Sequence, residues 1–242
     1  MIFKQINHFV YSLLKPNDIR RIFIMKKIAV LLSGCGVFDG TEIHESVLTL
    51  LSLSKAGAQY QCFAPDINQM HVVNHFTGEV DKTATRNVLV ESARIARGEV
   101  KATTELDITD FDALVILGGF GAAKNLCNFA TNGSECEVNP LVTDFINEFI
   151  LAKKPVGFIC IAPMMIPRLY GHGAKGTIGN DVDTVAAFNL MGGHHQAATV
   201  HDIVVDEANK IVSTPAYMLA GNIAEAHSGI EKLVAKVLEL AK

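Results

Sequence analysis

Short apolar runs alternate with segments of helical period along this chain. Ile28 to Leu32 is an apolar run closed by Ser33-Gly34-Cys35-Gly36, which predicts a buried parallel strand ending in a glycine-rich loop. Thr41 is the expected N-cap of the helix that follows. Ile43, Val47, Leu50 and Leu51 recur there at helical spacing, so Ile43 and Val47 are expected to face inward. Ala56-Gly57 ends the helix, and a second strand runs from Tyr60 to Ala64 before Pro65. Residues 66–85 are polar and irregular, and are expected to be an insertion at the sheet edge.

Asn87 to Ala96 predicts a helix, and Ala113 to Leu117 a strand running into Gly118-Gly119-Phe120-Gly121. A helix is expected over 140–152, a strand over 156–159 ending at Cys160, and helix again over 162–170. Two strands near 199–205 and 211–214 precede a final helix, whose buried face is marked by Ile223, Ile230, Leu233, Val234, Val237 and Leu238. Strands alternating with helices in this way predict an α/β fold: a doubly wound, mostly parallel sheet with helices on both faces. Ligands of such sheets sit beyond the carboxyl ends of the strands. Loops 33–41, 118–125 and 160–163 are therefore the candidate site.

The totals narrow the function. A chain of 242 residues suits one large domain, and no repeat or linker divides it. The net charge of −4 is spread along the chain and there is no tryptophan, which argues against nucleic acid or an anionic membrane as partner. No apolar run approaches the roughly 20 residues of a membrane span. Five cysteines at irregular spacing fit free thiols in a reducing compartment, and a cytoplasmic location is expected. Residues 1–24 carry Lys4, Lys15, Arg20 and Arg21 against Asp18, and Met25-Lys26-Lys27 follows as a second start-like sequence. An appended N-terminal extension is the favoured reading of 1–24, with an organelle-type presequence as the alternative, and residues 25–242 form the single domain.

Cys160 stands where a strand turns into a helix, the topology of a nucleophile elbow. The helix N-terminus behind it would favour thiolate over thiol, and Pro163 suits its first turn. The alternative is a buried small hydrophobe. Gly118-Gly119 lacks the spacing of a dinucleotide loop, but its backbone could supply an oxyanion hole beside Cys160. Glu42 is explained by the helix dipole, whereas Glu45 lies near the ligand edge, where burial would push its carboxyl toward protonation. His71 and His75 have no obvious third ligand, and His194-His195 follows Gly192-Gly193 as an exposed loop, so no metal site is expected. Cys127 and Cys136 read as structural.

Four segments carry a resemblance: Gly34 to Glu45 (GCGVFDGTEIHE), Gly118 to Asn125 (GGFGAAKN), Phe158 to Pro163 (FICIAP) and Thr214 to Met218 (TPAYM). Together they resemble the ElbB family of the ThiJ/PfpI superfamily, also called isoprenoid biosynthesis glyoxalases. The resemblance runs from about residue 26 to the C-terminus. It implies a flavodoxin-like, class I glutamine amidotransferase-like sheet without organic cofactor or metal. It implies Cys160 as nucleophile, Glu45 as its hydrogen-bonded carboxyl, and backbone donors at Gly118, Gly119 and Ile161. His44, Cys35, Phe120 and Asn125 are expected around the substrate pocket. The implied activity is glutathione-independent conversion of glyoxal-type 2-oxoaldehydes to hydroxy acids, a lyase reaction on a small aldehyde by a homodimer.

One departure matters: Ile161 stands where related enzymes often carry histidine, so another residue must handle the proton, and Glu45 is the candidate with His44 behind it. A sensor or binding protein with an oxidisable Cys160 is the alternative. An amidotransferase would need His172, His194 or His195 to fold back onto Cys160.

Overall fold

Short apolar runs must bury both faces, and helices on either side of a sheet provide that cover. A computed structural model of the protein describes residues 25–241, so the N-terminal extension lies outside the described residues. Along the chain come β1 (Lys27–Leu31), α1 (Ile43–Lys55), β2 (Gln59–Ala64), α2 (Val88–Ile95), β3 (Val100–Ala102) and β4 (Ala113–Ile116). The single turn α3 (Phe129–Asn132), α4 (Pro140–Leu151), β5 (Val156–Ile159), α5 (Ile166–Tyr170) and β6 (Lys175–Gly176) follow. The chain ends with α6 (Val182–Leu190), β7 (His194–His195), β8 (Val204–Asp206), β9 (Ile211–Thr214) and α7 (Ile223–Leu240).

Seven strands form one sheet in the order β3-β2-β1-β4-β5-β9-β8. Every pairing is parallel except β8 with β9, and β6 pairs with β7 apart from the main sheet. Alternate residues of the central strands face opposite cores. Ile28, Val30 and Val115 pack with Leu53 of α1 and with Ile230, Leu233 and Val237 of α7. Ala29, Leu31, Leu114 and Ile116 pack with Phe145, Ile146 and Phe149 of α4. The doubly wound α/β class is thus the observed one.

The register aligns the strand ends. Leu31 lies opposite Ile116, Ile116 opposite Phe158, and Ile159 opposite Thr214. The loops after β1, β4, β5 and β9 therefore emerge side by side along one edge.

Several expectations need correction. Ile43, Val47 and Leu51 are exposed, and α1 buries Glu45, Ser46, Leu48, Thr49, Ser52 and Leu53 instead. Small hydroxyl residues let α1 approach α7 closely, and the two serines meet their polarity on carbonyls of the preceding turn: Ser46 Oγ donates to Glu42 O at 2.7 Å and Ser52 Oγ to Leu48 O at 2.8 Å. Thr41 is not the N-cap. Glu42 caps α1, and Thr41 Oγ1 accepts from Ser33 N at 2.6 Å, closing the loop after β1. Ile223 is also exposed, the inner face of α7 beginning at Ala226. Segment 66–85 has no helix or strand but packs onto the loop after β1, with Val73 N donating to Asp39 Oδ2 at 2.7 Å. The short elements β3, α6, β6 and β7 carry too little pattern for sequence to have marked them.

Neighbouring leucines separate the two assignments of α1. Leu53 is fully buried and Leu51 is 46% exposed. Leu53→Ala is expected to cost about 2–5 kcal/mol, whereas Leu51→Ala stays within about 1 kcal/mol. Urea unfolding monitored by far-UV circular dichroism measures both, and equal losses would contradict this packing.

Candidate functional site

Cys160 follows β5 directly. Its N–H donates to Thr214 O at 3.0 Å, which ties it to β9, and the chain then turns with Cys160 at φ +64°. A residue with a Cβ rarely adopts this left-handed conformation, and local strain of this kind clusters at functional sites. Ala162–Met165 form one 3₁₀ turn with Pro163 near its start, leading into α5. Cys160 is buried, with 7% of its surface exposed.

Glu45 reaches the same point from the first turn of α1. It is fully buried, and its Oε1 accepts from Tyr217 N at 3.2 Å. The Gly118 N–H also faces the carboxyl. Oε2 makes no hydrogen bond, and the carboxyl lies against the Cys160 side chain across Gly118. This contact requires glycine at 118: a Cβ there would come within 2.5 Å of both Cys160 Cβ and Glu45 Oε2. Gly119 sits at φ +87° with Gly40 O and Glu42 N against its Cα, and its N–H points to Cys160.

The backbone donors now separate. Gly118 serves the carboxyl, whereas Gly119 and Ile161 serve the sulfur. Burial pushes Glu45 up to about 8, helped by the nearby charge of Glu42. Burial, and then the Glu45 charge, raise the Cys160 thiol well above the ordinary cysteine range, although the Gly119 and Ile161 N–H groups oppose this. The expectation that a helix terminus would yield a thiolate is therefore corrected: desolvation outweighs one short turn. At neutral pH the pair holds both protons, and it titrates as a unit.

An apolar cavity of about 320 Å³ opens over Cys160. Val37, Phe120, Ala123, Phe129, Ile161 and Met218 supply its greasy wall, and Glu42, Thr184 and Tyr217 its polar points. Phe120 thus lines the pocket as expected. The other expected pocket residues lie outside its wall. His44 is exposed, with Nδ1 2.9 Å from Tyr217 Oη. Asn125 is buried as a clamp, donating to Ser33 O and Asp39 O and accepting from Met70 N. Cys35 is half-buried beside Arg94 and Glu91, and burial raises its thiol.

No histidine lines the cavity. His194 and His195 form β7, and the ring of His172 rests against Gly192. Among the described residues, no group of three or more His, Cys, Asp or Glu side chains could hold a metal ion. The loop after β9 is the part that residue-by-residue reading passed over. There Ala216 takes φ +43° and aims the Tyr217 N–H at Glu45. Its only signal was the Thr214-Pro-Ala-Tyr-Met218 segment of the family resemblance.

Because the native state holds the Glu45 proton up to about 8 and the unfolded chain releases it near 4.5, stability falls as pH rises between those values. Each pKa unit corresponds to about 1.4 kcal/mol. Glu45→Gln keeps the shape and removes the titration. Its stability relative to wild type is expected to improve by about a few kcal/mol between roughly pH 5 and pH 8. Urea unfolding at the two pH values measures this, and a pH-independent difference would overturn the buried, protonated carboxyl.

No family model matches the chain. It is 44% identical over 223 residues to the rat protein named ES1 protein homolog, mitochondrial, covering 88% of this chain and 84% of the relative. It is likewise 44% identical over 223 residues to the human protein named glutamine amidotransferase-like class 1 domain-containing protein 3, mitochondrial, covering 88% and 83%. The crystal structure of an isoprenoid biosynthesis protein with amidotransferase-like domain from Ehrlichia chaffeensis matches with a TM-score of 0.83 at 37% identity, covering 90% of this chain and all of that one. The expected cytoplasmic location is corrected by these names, since the rat and human relatives are both called mitochondrial. Identity of this extent over 88–90% of the chain means that it belongs to the ElbB/ES1 family of amidotransferase-like proteins with the ThiJ/PfpI fold.

Proposed function

We propose that this protein is a glutathione-independent glyoxalase that converts neutral 2-oxoaldehydes to 2-hydroxy acids through a hemithioacetal on Cys160. One observation carries the reading: a cysteine at the floor of an apolar pocket lies against a fully buried carboxyl. No Lys, Arg or His lines that pocket, which suits a neutral aldehyde better than a carboxylate or phosphate.

The reactive form of the pair has lost one of its two protons. Cys160 sulfur attacks the aldehyde carbon, and the carbonyl π bond breaks to give an oxyanion. The thiol proton passes to that oxygen through Glu45, leaving the hemithioacetal and a free carboxylate. The N–H groups of Gly119 and Ile161, which already point at the sulfur, lie beside the developing oxyanion. The Glu45 carboxylate takes the proton from the former aldehyde carbon, the former ketone oxygen takes up a proton to give an enediol, and Glu45 returns its proton to the former ketone carbon as the first carbon's hydroxyl loses its own and becomes the thioester carbonyl. The product is a thioester of the 2-hydroxy acid. Water cleaves the carbon–sulfur bond, releases the acid and restores the thiol.

The two competing readings fit less well. Amide hydrolysis from glutamine needs a partner such as histidine to protonate the leaving amine, and the cavity wall has none. A peroxide sensor needs a thiolate at rest, whereas the Cys160 thiol is raised well above the ordinary cysteine range.

Purified protein is expected to form lactate from methylglyoxal without glutathione. Cys160→Ala should lower kcat/KM by about 10³-fold or more, as loss of a nucleophile does. Wild-type activity should climb as pH rises toward about 8, where the pair gives up its first proton. Lactate formation that survives in Cys160→Ala, or that falls as pH rises over this range, would sink the mechanism.

A further inference from the structure

The cavity over Cys160 is larger than the reaction needs. About 320 Å³ is open above the sulfur. An apolar cavity of about 150 Å³ is enough to hold a benzene ring, and methylglyoxal is no bigger than that ring. The two reacting carbons and a methyl group would leave about half of the space to water. That water would stand against an apolar wall, where it is disfavoured.

The wall owes its room to small residues and its apolar character to large ones. The π-helical turn Ala122–Leu126 brings Ala123 to the cavity, and α3 brings Ala130 beside Phe129. Ala123 is buried, whereas Ala130 is exposed. Val37, Phe129, Ile161 and Met218 are only partly buried, and Phe120 is 49% exposed. Large apolar side chains left uncovered around one cavity gain from a ligand that displaces their water. The polar points are few. Glu42 Oε2 accepts from Glu45 N at 2.6 Å, and an acid on the wall opposes an anionic substituent. Thr184 and Tyr217 add only hydroxyl groups.

We propose that the cavity over Cys160 binds an aryl-sized apolar group, which makes 2-oxoaldehydes carrying such a substituent the preferred substrates, with Ala123 setting the size limit. The choice of an aldehyde rests on the glyoxalase reading above, whereas the binding of the apolar group rests on the cavity alone. With the aldehyde carbon on the Cys160 sulfur and its oxygen beside the Gly119 and Ile161 N–H groups, the ketone substituent has the remaining space before Phe120, Ala123 and Phe129. Phenylglyoxal is the simplest such compound. It takes up the elements of water to give mandelate. The aldehyde carbon is oxidised to the carboxylate and the ketone carbon is reduced to the carbinol, so no outside oxidant or reductant is needed.

Initial rates of mandelate formation from phenylglyoxal and of lactate formation from methylglyoxal, without glutathione, give kcat/KM for each in the full-length wild type and in Ala123→Leu. Phenylglyoxal is expected to exceed methylglyoxal by about tenfold or more, and Ala123→Leu to lower that ratio by about tenfold. Acetophenone, which has the ring and the ketone but no aldehyde, is titrated into the same proteins and followed by ligand-observed NMR. It should bind wild type, and Ala123→Leu about tenfold more weakly, while acetone should not bind. Circular dichroism checks that each variant is folded. Ala130→Leu, at an exposed position on the same wall, replaces Ala123→Leu if that variant does not fold. Equal kcat/KM for the two aldehydes, no binding of acetophenone, or a ratio and affinity untouched by the substitution would overturn the proposal. No turnover of either aldehyde, with acetophenone still bound and weakened by the substitution, would instead overturn the glyoxalase reading and uphold the aryl-sized cavity.

Discussion

The Glu45 carboxyl occupies a space that exists only because residue 118 has no side chain. Around that space the protein has brought together the ends of four strands. The carboxyl has no cation beside it, so it is kept by two backbone N–H groups and by its own proton. An unpaired carboxylate in such a place would be costly, and holding the proton avoids that cost. The chemistry of the site follows from this constraint. Glu45 and Cys160 are raised in the same way, by burial, and Glu42 raises Glu45 further.

The constraint also explains the unusual inner face of α1. Glu45 must be carried inward by its helix, and the residues on the same face are Ser46, Thr49 and Ser52. Their small side chains let α1 settle against α7, while the serine hydroxyls satisfy themselves on the helix's own carbonyls. Larger apolar residues on that face would hold the helix off and withdraw the carboxyl from Cys160. The apolar residues Ile43, Val47 and Leu51 are left on the outside.

Membership of an amidotransferase-like family does not carry amidotransferase chemistry with it, because function resides in the site and not in the sheet. What the site holds here is a thiol, a protonated carboxyl and two backbone donors, in a pocket whose wall lacks histidine. That inventory suits carbon–sulfur addition and a short proton transfer better than expulsion of an amine.

The sequence by itself determined the parallel sheet, the elbow at Cys160, the glycine loop after β4 and the pairing of Cys160 with Glu45. These are legible because apolar runs and glycine punctuation are local signals, and because four segments match a known family. The tertiary structure alone decided which face of α1 is buried. Periodicity places residues on a common face, but only the neighbour α7 selects the face that turns inward. It also decided that Tyr217 N holds the carboxyl, that His44 and Asn125 stand outside the pocket wall, and that Asn125 clamps the loop after β1. Each of these is a contact between segments distant in sequence or folded back on themselves. The protonation of the pair was decided in the same way: a carboxyl and a thiol have ordinary pKa values until burial removes the water that would stabilise their charged forms.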